Sequence, residues 1–400
     1  MFDFPIAYLN SNNETSLLAF GKGEIMICES NYSMHEIQSF VDKHHGQFIF
    51  SCLSYDLKNE VEKLDSKNFD GMKFPQALLW VPDYIVEINN EKFQFIKGKP
   101  NGENERFVSQ FIAVQNKTEF KPFPHLLKPR TSQVDYLAHV NQLKEEIQLG
   151  NIYEVNYCQE YYAENVELED SLNAYFKLNS ITKAPYSAYF NIDNFVLICG
   201  SPECFIQRRG NKLSSSPIKG TSKRGKDEVE DAYLKNQLYN DPKERSENVM
   251  IVDLVRNDLS KLALNNTVKV DELFGIHTFE TVHQMISTVS CEVPVNTTFS
   301  EILRATFPMG SMTGAPKVSA MKLIEKHEDF KRGLYSGSVG LIQPNGDFDF
   351  NVVIRSIQYN KKNKYLSCSV GGAITIQSSA EKEYEECNVK VQGILSKMNA

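Results

Sequence analysis

Several segments of the chain carry residue types whose spacing could do chemistry. In Ser216-Pro217-Ile218-Lys219-Gly220-Thr221 a proline fixes one torsion and a glycine frees the next, so Lys219 is held on a rigid turn. A lysine placed this way becomes a nucleophile if burial lowers its pKa; the plain alternative is a solvated loop lysine. The stretch is not a phosphate loop, because the G-x-x-x-x-G-K-[ST] spacing is absent. Glu203 follows Gly200-Ser201-Pro202, just past the apolar run Phe195 to Cys199. A carboxylate there either has a raised pKa and acts as an acid, or ends a strand in solvent. Glu247 shares a helix face with Met250, Ile251 and Leu254, where an acid is costly without a partner such as a metal ion, unless it reaches water. Glu383, Glu386 and Lys390, spaced i, i+3, i+7, also lie on one face. They are either a solvated charge pair or metal ligands with an anchor for a carboxylate. Oxygen donors with no His or Cys nearby suit Mg²⁺ better than Zn²⁺.

The remaining candidates favour anions. Gly310 to Lys317, through Thr313-Gly314-Ala315-Pro316, reads as a helix N-terminus with small residues, a site for a carboxylate. Gly371-Gly372-Ala373 is expected to expose backbone N–H groups after a strand, and Arg355, in an alternating strand, to grip a carboxylate with both arms. His283, in the run Phe279 to Met285, is more often a core residue than a catalyst at such a place.

These segments need elements to position them. Ser132 to Leu149 has helical spacing and ends at Gly150. Asp241-Pro242-Lys243-Glu244 starts a helix to about Asp258, Thr313 to Pro316 opens another through His327, and Ser378 with Glu381 opens a third to about Leu395. Strands are expected at Glu24–Cys28, Gln47–Ser51, Ala77–Val81, Tyr84–Ile88, Ile152–Gln159, Tyr186–Ile192, Phe195–Cys199, Val268–Glu272, Tyr335–Leu341, Phe348–Tyr359 and Tyr365–Val370. Most adjoin another strand across a short turn, which predicts antiparallel pairing and an α+β fold. Polar stretches at Lys97 to Glu105 and Lys121 to Lys128 mark candidate boundaries, and the division is placed between an N-terminal region, 1–125, and a catalytic part, 126–400.

Composition narrows the classes. The 400 residues are 41% hydrophobic and 24% charged, the values of a folded globular chain. The 43 Lys+Arg against 51 Asp+Glu give −8, with no long basic run, so nucleic-acid and anionic-membrane binding are disfavoured. The eight cysteines form no C-x-x-C pair and read as reduced, buried thiols. With no apolar run of membrane-spanning length and no secretory pattern at the start, the cytoplasm is the expected compartment.

In order along residues 130–398, the motifs Ser201-Pro202-Glu203, Pro217 to Thr221, Glu247 to Asp258, Thr281-Val282-His283, Gly310 to Lys317, Arg332-Gly333-Leu334-Tyr335-Ser336-Gly337, Ile354-Arg355-Ser356 and Gly371 to Lys390 resemble the chorismate-utilising enzymes. That family includes anthranilate, aminodeoxychorismate, isochorismate and salicylate synthases. The resemblance implies two large, roughly orthogonal antiparallel sheets with helices outside. It implies Mg²⁺ held by Glu247 and Glu386 with Glu383 near, and substrate contacts from Thr221, Thr313, Lys390 and the backbone of Gly371, Gly372 and Ala373. Arg355 and Tyr335 would hold the enolpyruvyl carboxylate of chorismate. Lys219 would act as nucleophile and Glu203 as general acid, with His283 assisting near the ring.

Branch choice turns on two positions. The anthranilate-forming branch typically has Ala where this chain has Lys219; the aminodeoxychorismate-forming branch has the lysine. Isochorismate and salicylate synthases activate water with a lysine in the segment matching Ile152 to Asn156, where this chain has Glu154. A carboxylate cannot replace that lysine in kind; other members commonly have Gln. The resemblance therefore implies replacement of the C4 hydroxyl of chorismate by an amino group, with anthranilate formation as the alternative. Ammonia would come from a separate glutamine amidotransferase subunit, since no G-x-C-x-G turn occurs here. Leu17-Leu18-Ala19-Phe20 lacks the Glu-Ser that accompanies a tryptophan pocket in some members. A non-catalytic binding subunit of this fold would be expected to lack the acids at 247, 383 and 386, and all are present.

Overall fold

The computed structural model describes residues 4–399, apart from 14, 30, 31, 91 and 118–125. Two large antiparallel sheets dominate. The first has eleven strands. It runs from Gly314–Ala315 through Glu154–Ala163, Tyr365–Ile374, Ser356–Asn360, Phe195–Ser201, Tyr186–Ile192, Ile6–Asn10, Thr15–Phe20 and Tyr84–Asn89 to Lys92–Lys97, with Lys128–Pro129 paired to Glu154–Ala163. The second has ten. It runs from Ile218–Lys223 through Val282–Glu292, Lys212–Ser216, Cys204–Arg209, Phe348–Asn351, Ser338–Ile342, Ile49–Leu53 and Ala77–Val81 to Glu24–Cys28, with Lys269–Thr278 paired to Val282–Glu292. Strands from the first hundred residues are thus hydrogen-bonded into both sheets. The expected boundary at 125 lies outside the described residues.

Period-two alternation assigns the faces. Ala7, Ala19, Ala188 and Phe190 of the first sheet meet Phe50, Leu78, Trp80 and Leu341 of the second in one buried cluster. Their strand neighbours Tyr8, Leu18 and Tyr189 point the other way, packing with Phe111, Tyr136 and Tyr175 of the covering helices. All eight cysteines are buried and none forms a disulfide.

Two helices begin at side-chain caps, Asp241 as expected and Ser132 in addition. Ser132 accepts from the Asp135 amide ahead of Gln133–Gln148, and Gly150 follows with φ +80°. Asp241 accepts from the Lys243 and Glu244 amides ahead of Pro242–Ser260. Elsewhere the structure corrects the sequence reading. The polar stretch at Lys97 to Glu105 is a helix start: Asn101 caps Gly102–Gln115. Phe299–Thr306, not among the expected helices, carries a complete Thr298–Glu301 capping box. The C-terminal helix is Ala380–Asn399, one residue later than the Ser378 cap implies, because the Ser378 hydroxyl accepts from the Thr375 amide instead.

Candidate active site

The candidate residues cluster where the chain passes between the two sheets. Phe195–Ser201 belongs to the first sheet and Cys204–Arg209 to the second, so Pro202 and Glu203 lie on the crossing. Phe348–Asn351 and Ser356–Asn360 make the reverse crossing, and the expected continuous strand Phe348–Tyr359 is broken there. The two crossings are stitched together: Val352 N–H donates to Glu203 O at 3.0 Å and Gly200 N–H to Arg355 O at 3.0 Å. Glu203 is buried and, at 5% exposed, has its carboxyl pushed up to about 7 by that burial, against hydrogen bonds from Ser311 and the Ile218 backbone.

Lys219 is aimed by a bulge. Ile218 pairs with Ile286 and Thr221 with Gln284, so the Lys219 strand holds one residue more than its partner between the two pairs, and Gly220 takes φ +89° there. The ammonium lies 2.7 Å from Glu154 Oε1 and 3.9 Å from Glu247 Oε2. Burial pushes the amine down, but Glu154, Glu247 and Glu203 outweigh it and the net shift is upward. The resting lysine is therefore an ammonium, the reverse of the expectation that burial alone would free it. Glu154, which sequence reasoning left without a role, begins the strand Glu154–Ala163 and is buried.

The helix Pro242–Ser260 brings Glu247 to the same place. Its carboxyl is pushed up to about 7 by burial, against the pull of Lys219, and Oε1 has no hydrogen bond among the described residues. Glu244 does not fold back as a capping-box partner; its carboxylate lies over Gly220, with Oε2 3.1 Å from where a Cβ would stand. From the C-terminal helix come Glu383, Glu386 and Lys390. A Cβ on Gly372 would meet Glu383 Oε2 at 3.2 Å, Glu386 Oε1 at 3.8 Å and Lys390 Nζ at 3.9 Å, so the bare glycine is what makes room for them. Lys390 bonds Glu386 at 2.7 Å and the Gly371 carbonyl at 2.6 Å. Burial raises the Glu383 carboxyl, aided by Glu386.

Gly371, Gly372 and Ala373 do not follow a strand; they lie within Tyr365–Ile374, paired with Cys158, Tyr157 and Asn156. Their expected exposure survives in part. The ladder to Ser356–Asn360 stops at Ser367, leaving one edge open. The Gly371 carbonyl faces Lys390 on that edge, so the Gly371 and Ala373 amides face it too.

Arg355 sits in the bend of the second crossing with φ +48°, not in an alternating strand. Burial alone lowers its pKa, and its guanidinium has no hydrogen bond or ion pair among the described residues. A largely buried guanidinium without a protein partner has the chemistry to pair with a carboxylate. Tyr335 is buried with its hydroxyl 4.0 Å from Cys158 Sγ.

Other expected residues are placed differently. The helix after Pro316 begins only at Lys317, whose amine is turned inward to Asp258 and the Thr306 and Pro308 carbonyls. Gly314–Ala315 is a strand, not a helix turn. The Thr313 hydroxyl donates to the Met309 and Gly310 carbonyls at 3.2 Å, so it is spent on its own turn. Thr221 is exposed beside the bulge. His283 is fully buried, with Nε2 3.0 Å from Asp231 Oδ1 and Nδ1 3.0 Å from Thr278 Oγ1. Both ring nitrogens are thus occupied away from Lys219 and Glu203. Sequence reasoning also missed Arg332, which bonds the Met312 carbonyl at 2.7 Å and the Asn156 carbonyl at 2.8 Å and so clamps the Ser311 turn to the strand of Glu154. Its signal was only a motif position.

Glu154, Glu203, Glu244, Glu247, Glu383 and Glu386 outnumber Lys219, Lys243 and Lys390, and four of the acids have raised pKa values. An excess of oxygen donors, with Glu247 Oε1 held by no hydrogen bond among the described residues, fits a hard cation. The three acids expected as ligands do not form a closed cage, however: among the described residues no group of three lies close enough to hold one ion. Glu383 and Glu386 meet over Gly372, while Glu247 is drawn toward Lys219 and Lys243. Mg²⁺ commonly takes one or two carboxylates and completes its shell with water and substrate oxygen, which this pair allows.

A fold of two antiparallel sheets with acids, an amine and a free guanidinium at their crossings defines a class: the chain belongs to the chorismate binding enzyme family, which it matches over residues 8–396. Within that class it is similar to aminodeoxychorismate synthase component 1 of Escherichia coli (strain K12), 32% identical over 348 residues, 86% of this chain and 75% of that protein. The Bacillus subtilis (strain 168) protein of the same name is 31% identical over 352 residues, 84% of this chain and 73% of that one. Among solved structures, anthranilate synthase component I from Streptococcus pneumoniae TIGR4 superposes with TM-score 0.77 at 22% identity, covering 98% of this chain and 90% of that one. The menaquinone-specific isochorismate synthase from Escherichia coli gives 0.75 at 18%, covering 99% and 89%. At these identities the two structures bear on the fold alone. Among the described residues no helix is long and apolar enough to cross a membrane.

Proposed function

We propose that this chain is the chorismate-aminating component of an aminodeoxychorismate synthase, converting chorismate and ammonia to 4-amino-4-deoxychorismate, the precursor of 4-aminobenzoate in folate synthesis. The observation that carries the reading is Lys219, an amine buried among Glu154, Glu203 and Glu247. The relatives named for this activity support it.

Arg355 takes the enolpyruvyl carboxylate, with Tyr335 as the second contact; Lys390 and the open strand edge at Gly371 to Ala373 steady the ring. Mg²⁺, held by Glu383 and Glu386 with Glu247 near, would neutralise the C1 carboxylate when bound. Lys219 Nζ gives up one of its ammonium protons and the lone pair so freed forms a bond to C2, each ring double bond shifts one place toward C4, and the C4–O bond breaks. Glu203 gives its proton to the departing hydroxyl, which leaves as water, and the proton shed by Nζ restores Glu203. Ammonia then bonds C4, the double bonds return, and the C2–Nζ bond breaks. His283 and Thr313 have no part in these steps, because their polar atoms are already bonded within the protein.

Ammonia is to be delivered by a separate glutamine amidotransferase subunit. The test is product identification by mass, with chorismate, Mg²⁺ and ammonium, with and without such a subunit. Aminodeoxychorismate without pyruvate is expected. Anthranilate with pyruvate would overturn the reading in favour of anthranilate synthase component I, a route that has no use for Lys219.

A further inference from the structure

We propose that Glu154 binds the incoming ammonium and carries its proton to Lys219; this rests on the covalent role given to Lys219 above. Glu154 is 1% exposed, and a carboxylate so deeply buried is costly unless its oxygens are used. Oε1 is used: it accepts from Lys219 Nζ at 2.7 Å. Oε2 is equally buried and has no hydrogen-bond partner among the described residues. The backbone that carries this group is pinned. Glu154 pairs with Ala315 on the sheet edge, and its carbonyl packs so close to Gly314 that a Cβ there would stand 2.2 Å from it.

The reaction uses two amines in succession, and this carboxylate has one oxygen for each. Lys219 already shows that the pocket accepts an ammonium on Oε1. An ammonium ion has the same charge and the same donors, and Oε2 is the acceptor left for it. The neighbouring Glu247 also has an oxygen without a hydrogen bond, Oε1, but that oxygen already faces Lys243 Nζ at 3.8 Å while Oε2 faces Lys219 Nζ at 3.9 Å.

The proton balance closes. After the first step Nζ is a secondary ammonium joined to C2. Ammonium donates to Oε2 and gives Glu154 a proton. The ammonia so formed bonds C4 while the C2–Nζ bond breaks, and Nζ leaves as a neutral amine. It takes the proton from Glu154 and the resting ion pair is restored. The product carries the added nitrogen as –NH₃⁺, and no further co-reactant is needed.

The experiment uses the full chain with Glu154→Gln, which is isosteric and keeps an acceptor for Lys219. Chorismate and Mg²⁺ without ammonium should give an intact-mass adduct on Lys219 in wild type and variant alike. On adding ammonium chloride, the variant should release product about 100-fold more slowly, the scale of a lost acid–base group, with a raised ammonium KM and an unchanged chorismate KM. Glu154→Asp, which keeps a carboxylate, should recover part of the release, and it decides the matter if the Gln variant does not fold. Release at the wild-type rate from Glu154→Gln would overturn the proposal. So would loss of the adduct with an unchanged melting temperature, since Glu154 would then only orient Lys219. If the wild type aminates chorismate yet forms no adduct, the covalent reading of Lys219 fails by itself. The ammonium KM of Glu154→Gln then decides separately: a rise of about tenfold or more supports the ammonium site, and no rise removes it.

Discussion

Lys219 Nζ lies 2.7 Å from Glu154 Oε1, and the two side chains are 10% and 1% exposed. A pair this dry holds its geometry because neither charge can leave without abandoning the other. The lysine is thereby aimed before substrate arrives, and its resting charge is fixed as well as its position.

Removing one partner strands the other. Lys219→Ala should abolish aminodeoxychorismate formation and also lower stability by about 3–5 kcal/mol, because Glu154 is left buried and uncompensated. Lys219→Met combined with Glu154→Leu should recover most of that stability in urea melts while product mass analysis still finds no amination. Full product formation by Lys219→Ala would end the covalent reading.

Glu203 sets the pH dependence. Its folded pKa is raised from 4.5 to about 7, and it must be protonated to act as an acid. The rate of C4 hydroxyl loss should therefore fall as pH rises through about 7. Glu203→Gln should cost roughly 10²- to 10⁴-fold in kcat and remove that limb of the profile. Because the folded pKa is raised, the group's contribution to stability is complete below its ordinary value and is lost as pH rises from 4.5 to about 7. Thermal melts across that window should be flatter for Glu203→Gln than for wild type.

Arg355 should separate binding from folding. Its guanidinium has no protein anion to serve, so Arg355→Met should not lower the melting temperature and should raise the KM for chorismate by about tenfold or more. A destabilised variant with unchanged KM would assign Arg355 to the fold instead.

The two glycines of the open strand should behave oppositely. A Cβ on Gly371 would stand 2.5 Å from Cys158 Sγ and 2.7 Å from the Tyr157 carbonyl, so Gly371→Ala should weaken the sheet and lower the melting temperature. On Gly372 it would meet only side-chain ends, Glu383 first. Gly372→Ala should keep the fold and weaken Mg²⁺ binding by about tenfold in calorimetric titration. Equal losses of stability in both variants would contradict the assigned faces.

Much of this was legible in the residues. Ser132 and Asp241 cap their helices because a side-chain oxygen satisfies free amides within a turn, an interaction that needs no distant partner. Strands such as Tyr186–Ile192 and Phe195–Ser201 announce themselves as short runs rich in apolar residues, because they are buried on both faces. The order of Glu203, Lys219, Glu247, Arg355 and Glu386 was enough to carry the family. What the chain could not state alone is which charges meet. Glu154 and Lys219 are 65 residues apart and belong to different sheets, His283 is turned to Asp231 rather than to the lysine, and the Thr313 hydroxyl closes its own turn. Those outcomes depend on how two sheets pack and where the chain crosses between them, because Coulomb energy and desolvation follow distance and burial in space, not separation along the sequence.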